Sequence, residues 1–224
     1  MRRAALWLIP AMLLAAFPLR AEDRINVVAS FSILADFARN AGGARVRVTS
    51  LVGPNGDVHV YTPTPADART IADARLVVVN GLGLEGWLPR LLQSAGSRAP
   101  IVTASRGVAP LKLGSETDPH AWQSVVNAKI YVANIRDALV EADPAGADDY
   151  RKNADAYLAE LDALDAEVRA AIAKIPPARR KLISTHDAFG YFADAYGIFH
   201  LATRHFLSAG DIYRQLESTT MLIR

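Results

Sequence analysis

The 224-residue chain contains no cysteine. Disulfide bonds and thiolate metal sites are therefore excluded, and no cysteine stands behind the N-terminal leader to carry a lipid. No apolar run reaches the ~20 residues that a membrane-spanning helix requires. His-Glu-x-x-His, Gly-x-Ser-x-Gly and phosphate-loop patterns are all missing, which removes the local signatures of zinc peptidases, serine hydrolases and nucleotide hydrolases. Internal repeats and low-complexity stretches are also lacking. Charge of one sign is scarce as well. The formal net charge is +2, from 25 Lys and Arg against 23 Asp and Glu, and part of that excess lies in the leader. Arg2 and Arg3, an apolar run over residues 4–17 and the small Ala21 ahead of Glu22 read as a secretory signal peptide over residues 1–21. Its removal takes away Arg2, Arg3 and Arg20 and leaves 22 basic residues against 23 acidic ones. A near-neutral mature chain argues against nucleic acid or an anionic membrane as a partner. The expectation is a soluble exported protein, located in a bacterial periplasm.

What is present is an ordinary globular composition, 51% hydrophobic and 21% charged, able to bury a core. The longest regular feature covers residues 144–175. Tyr157, Leu161, Leu164, Val168 and Ile172 recur there by threes and fours among charged residues, as on one amphipathic helix. Pro176 and Pro177 end it, since proline lacks an amide hydrogen and disfavours helix in the residue before it. Before this helix, short apolar runs alternate with helical patterns. Strands are expected over residues 24–30, 45–52, 76–80 and 101–103. Helices are expected from Ser32, from Thr64-Pro65, and over residues 87–95 and 126–141. Residues 107–118 read as a loop. After the helix come a strand over residues 181–185 and a short helix over residues 189–196. The spacing is that of βαβ units and hence of parallel sheets. The fold class is α/β, and the domains read as a leader (1–21), an N-terminal lobe (22–143), a linking helix (144–177) and a partial C-terminal lobe (178–224).

Five histidines occur: His59, His120, His186, His200 and His205. The first three sit in loops or at a strand end, and each has an aspartate within two positions, namely Asp57, Asp118 and Asp187. A metal-bound imidazole commonly passes its second ring proton to a carboxylate, so these aspartates fit a supporting role. Each also fits a turn cap. Spacings of 61 and 66 residues match no local metal signature. Three neutral imidazoles suit zinc, and the fourth position separates two functions: a bound water would make a hydrolytic site, and a carboxylate would make a carrier. Gly81, Gly83 and Gly86 imitate a dinucleotide fingerprint, but they follow the third strand rather than the first and no acid stands about 20 residues on.

Four ordered motifs carry a resemblance. Residues 53–65 (GPNGDVHVYTPTP), 79–87 (VNGLGLEGW), 118–122 (DPHAW) and 186–192 (HDAFGYF) resemble the zinc/manganese substrate-binding proteins of ABC transporters, and more closely the zinc-type members (cluster A-I). The resemblance implies two parallel-sheet lobes joined by a long rigid helix, with a metal ion in the cleft between them. It implies His59 and His120 as ligands from the first lobe and His186 from the second, zinc in preference to the harder manganese ion, and delivery to a membrane permease by a monomeric, non-enzymatic receptor. The family carries an acidic fourth ligand further along. Here the resemblance fades after Ile198, Asp211 does not align with that acid, and His200 and His205 read as solvated. The second lobe is therefore expected to be incomplete. The alternatives are a zinc-dependent hydrolase with an open fourth position, or a truncated member that neither folds stably nor binds metal.

Overall fold

The computed structural model describes residues 24–202. The leader, His205 and Asp211 lie outside the described residues. The first lobe is built in the order β1 (Ile25–Phe31), α1 (Ser32–Gly42), β2 (Val46–Val52), α2 (Pro65–Ala72), β3 (Leu76–Val79), α3 (Leu88–Ala95) and β4 (Ile101–Thr103). These strands form one parallel sheet in the order β2-β1-β3-β4. A hairpin follows, β5 (Lys112–Leu113) paired with β6 (Glu116–Thr117), and then α4 (Val125–Ala142).

Why the central strands read as unbroken apolar runs follows from their burial on both faces. Side-chain parity divides them. Val27, Ala29 and Val78 join one core with Leu34 and Phe37 of α1 and with Tyr131 and Ile135 of α4. Val28, Val77 and Val79 face the other way, against Ile71 of α2 and Leu88 and Leu91 of α3. Successive strands are added to one side of β1 as β2 and then to its other side as β3 and β4, so the carboxyl ends of β1 and β3 flank the switch point where such parallel sheets bind ligands.

The long helix is α5 (Ala147–Ala173). Its first half belongs to the first lobe: Tyr150, Ala154 and Leu161 are buried, and Tyr157 meets Phe37 at 6.3 Å between ring centroids. The expected stripe is only partly buried. Leu164 is 44% exposed, because the layer that α5 covers ends near Leu161 and the helix then runs on toward the second lobe. There Arg169 lies over the Tyr196 ring at 5.1 Å. The second lobe contains β7 (Lys181–Ser184), α6 (Gly190–Tyr196) and β8 (Phe199–Ala202), with β7 and β8 parallel.

Three expectations need correcting. Residues 107–118 are not wholly a loop; each strand of the β5–β6 hairpin is two residues long, too short to leave a periodic signal. Beyond Ile198 the chain continues as β8, which completes a βαβ unit. His200 is not solvated. It stands on β8 with its side chain 8% exposed, its Nε2 2.7 Å from Ser184 Oγ.

Where α5 starts, a polar knot fastens it to the first lobe. Arg45 Nη2 donates to Asp143 Oδ2 at 3.0 Å, and the Tyr150 hydroxyl donates to the same oxygen at 2.7 Å. Burial alone would raise the Asp143 pKa, but the Tyr150 and Arg45 hydrogen bonds outweigh it and hold the carboxyl below its usual value of 3.8. A depressed carboxyl pKa adds stability that is fully present above the ordinary value and is lost as pH falls from there through the lower folded value. Asp143→Asn is expected to lower stability at neutral pH by about 1–3 kcal/mol, leaving the Arg45 charge less well paired. Urea unfolding at pH 7 and pH 3.5 checks this: the gap between variant and wild type should narrow at the lower pH, and a gap independent of pH would contradict it.

Candidate metal centre

Each of the three histidines expected at the site is held by a different local device. His59 sits in the loop after β2. Its backbone N–H donates to Asp57 Oδ1 at 2.9 Å, so Asp57 shapes a turn rather than orienting the ring. The neighbouring Val58 carbonyl accepts from Trp87 Nε1 at 2.8 Å. On the far side, Tyr61 donates to Asp67 Oδ2 at 3.0 Å, and Asp67 is itself the third residue of the Thr64 capping box that starts α2. The loop is thus pinned at both ends.

His120 is the buried member. Its Nδ1 and its backbone nitrogen both lie against Asp118 Oδ1, at 2.8 and 2.9 Å. With the carboxylate accepting at Nδ1, the proton belongs there and the Nε2 lone pair faces the cleft. Of the three aspartates, Asp118 is seen in the ring-orienting part expected from sequence. Asp187 turns instead toward His200 Nδ1, at 3.8 Å. His186 follows β7, with its carbonyl accepting from Ser184 Oγ at 2.7 Å and from the Ala188 N–H at 3.0 Å.

The structure brings all three rings together. His59 Nε2 and His186 Nε2 lie 3.2 and 3.0 Å from His120 Nε2, and one ligand atom from each residue falls within 4.8 Å of the others. Nitrogens at ~2.05 Å from a tetrahedral zinc ion stand roughly 3.3 Å apart, close to the two spacings that His120 Nε2 makes. Burial, then the nearness of His120, and further on that of His186, lower the His59 pKa, with Asp57 pulling the other way. The three rings line a cleft of about 1010 Å³ that also touches Leu84, Leu113 and Glu116.

Behind the rings lies a buried polar network that the sequence reading missed. The glycine-rich turn after β3 is closed by Glu85. Its Oε1 accepts from Ser30 Oγ and from the Asn80 N–H, both at 2.6 Å, and its Oε2 accepts from the Gly81 N–H at 3.1 Å. Gly81 and Gly83 adopt φ of 80° and 83°, which a side chain would strain. The turn therefore binds its own carboxylate rather than a phosphate. Asn80, held in this way, passes the order on: its Nδ2 donates to the Pro119 carbonyl at 3.0 Å and its Oδ1 accepts from the Tyr131 hydroxyl at 2.7 Å. The detectable signal was an asparagine ending an otherwise apolar strand, followed five residues on by an acid.

A two-lobed α/β fold with imidazoles converging from both lobes defines the class of metal-ion solute receptors. Comparison with known proteins agrees. Residues 27–212 match the family model described as zinc-uptake complex component A, periplasmic, and the chain belongs to this family of ABC-transporter metal receptors. The match extends past Ile198, where the sequence resemblance was expected to fade. The chain is 41% identical over 177 residues to a manganese-binding lipoprotein MntA of Halalkalibacterium halodurans, covering 78% of this chain and 59% of the relative. To the iron-binding protein YfeA of Yersinia pestis it is 37% identical over 185 residues, covering 80% and 59%. Among solved structures it superposes on the periplasmic zinc-binding protein TroA of Treponema pallidum with a TM-score of 0.77 at 31% identity, covering 86% of this chain and 73% of that one. The chain thus spans about three-fifths of the length of these curated relatives, and the three names carry three different metals.

The Glu85 network generates its own test. Glu85→Gln would keep one oxygen and set amide hydrogens against the Gly81 N–H or, with the amide flipped, against the Asn80 N–H, and stability is expected to fall by about 1–3 kcal/mol for the donor left unpaired. Urea denaturation measures this, and an unchanged midpoint would show that the turn holds without the carboxylate.

Proposed function

We propose that the protein is a receptor that captures a divalent metal ion, zinc, and delivers it to an ABC-transporter permease in the membrane, working as a monomer in the periplasm and performing no catalysis. His59, His120 and His186 are the protein ligands. The observation that carries this reading is the approach of two imidazole nitrogens to His120 Nε2, His59 Nε2 at 3.2 Å from the same lobe and His186 Nε2 at 3.0 Å from the other. An all-imidazole face is softer than a mixed imidazole and carboxylate one and favours zinc over manganese. The relatives' names divide between manganese, iron and zinc, so this preference rests on the donors themselves. In functional terms, residues 22–143 present two ligands, residues 144–177 set the distance, and the lobe beginning at residue 178 presents the third. Export follows from the leader over residues 1–21.

Binding by this mechanism consists of exchanging bound water for three lone pairs. His120 supplies the fixed one, since Asp118 holds its tautomer, while His59 and His186 close from either side. Calorimetric titration should give one zinc ion per chain, with a weaker heat for manganese. His59→Ala, His120→Ala and His186→Ala should each weaken zinc binding by about 100-fold or more, because two imidazoles cannot enclose the ion. Tight binding that survives His186→Ala would contradict a site built across the lobes.

The pH dependence follows from the need for neutral rings. Protons compete with metal as the histidines charge, so affinity should fall below pH ~6.5, the ordinary histidine value. The lowered pKa of His59 keeps that ring available to somewhat lower pH than an isolated histidine. Zinc affinity that stays flat between pH 8 and pH 5 would contradict imidazole ligation.

A further inference from the structure

Both carbonyls around the Asp118–Pro119 peptide are bonded, and from opposite lobes. The Pro119 carbonyl accepts from Asn80, at the end of β3. The Asp118 carbonyl accepts from the Tyr191 hydroxyl at 2.9 Å, on α6 of the second lobe. The same Tyr191 oxygen accepts the Leu111 N–H at 3.0 Å, while the Leu111 carbonyl accepts the Asp118 N–H at 2.9 Å. Tyr191 thus plugs the base of the β5–β6 hairpin and bonds both of its ends. Its neighbour Gly190 comes closer still: a Cβ there would stand 2.7 Å from Asp118 Oδ2, the oxygen opposite the one that holds His120. A side chain at 190 would push the lobes apart at the point where the ligand-orienting carboxylate lies.

We propose that Tyr191 is a positioning residue for metal capture: its hydroxyl docks the second lobe onto the Asp118–His120 segment and so holds His186 within reach of the ion bound by His59 and His120. This rests on the ligand reading given above. Affinity for an ion shared between two lobes is reduced by the cost of bringing the lobes together, and a preformed contact removes that cost in advance. Tyr191 is suited to the task because it is 4% exposed and both donates and accepts. Removing its oxygen keeps the ring in place and leaves the Leu111 N–H and the Asp118 carbonyl without that partner.

Tyr196 provides the control. It lies on the same helix, is similarly buried, and its hydroxyl donates at 2.8 Å to Asp165 on α5, away from the hairpin. Tyr191→Phe and Tyr196→Phe each delete one buried hydroxyl from α6. In the full chain, zinc affinity and zinc release into a chelator are measured for both variants, with urea unfolding and amide hydrogen exchange at Leu111 alongside. Tyr191→Phe should weaken zinc binding by about tenfold, mainly through faster release, and speed exchange at Leu111. Tyr196→Phe should leave affinity within about twofold even where it lowers stability as much. Equal zinc affinities and release rates in Tyr191→Phe and wild type overturn the proposal, as does an equal loss in both variants. A wild-type protein that takes no zinc overturns the receptor reading and this proposal with it, whereas normal wild-type binding with an indifferent Tyr191→Phe overturns this proposal alone.

Discussion

The hydrogen bond between His120 Nδ1 and Asp118 Oδ1, 2.8 Å long and buried at both ends, is the interaction on which the site depends. An imidazole can ligate only through a nitrogen that carries no proton, and the tautomer is decided by what the other nitrogen bonds. A carboxylate buried this deeply is tolerated only when donors surround it, and the His120 ring and backbone supply two. The peptide that bears both residues is then held through its carbonyls by Asn80 and Tyr191. Asn80 in turn depends on Glu85 and Tyr131. The Tyr131 hydroxyl stays a firm donor because burial, with Tyr191 and Glu85 nearby, pushes its pKa far up. The result is a chain of buried bonds running from the carboxyl end of β3 to one imidazole nitrogen.

The second constraint is the long helix. Its 27 residues span about 40 Å at the usual rise, and its first half is part of the first lobe's core. The second lobe is carried on its far end, so the distance between His186 and the other two rings is set by a rigid rod and by the Tyr191 contact rather than by a loose linker. The cleft at about 1010 Å³ is far larger than a single ion. On the proposed reading, discrimination between metals would come from donor chemistry rather than from the size of the opening.

Much of this architecture is legible from sequence because burial and periodicity impose it. The Pro176-Pro177 stop and the unbroken run before it mark α5 to within two residues of its end, and LVVVN, short and β-branched, suits the strand buried on both faces that it forms. The convergence of His59, His120 and His186 is not periodic. Residues 61 and 66 positions apart meet through tertiary structure alone, so they were identifiable only by their motifs and the family resemblance. Other residues were hidden for physical reasons. Glu85 is a charged side chain inside a glycine-rich turn, a place where sequence suggests exposure. Tyr191 reads as one more aromatic of a core helix, since nothing local shows that its hydroxyl reaches across to Leu111 and Asp118. His200 looks like any polar residue until β8 pairs with β7 and turns it toward Ser184.

X-ray absorption at the zinc edge of the loaded protein tests the central claim most directly, because it counts imidazoles around the ion without reference to affinity. Three imidazole nitrogens at about 2.0 Å, with at most one or two further oxygen neighbours, are the result expected from a ligand face built by His59, His120 and His186. A spectrum fitted by one imidazole or none, with oxygen filling the shell, would mean that the rings do not close on the ion and that the interlobe geometry does not hold the metal.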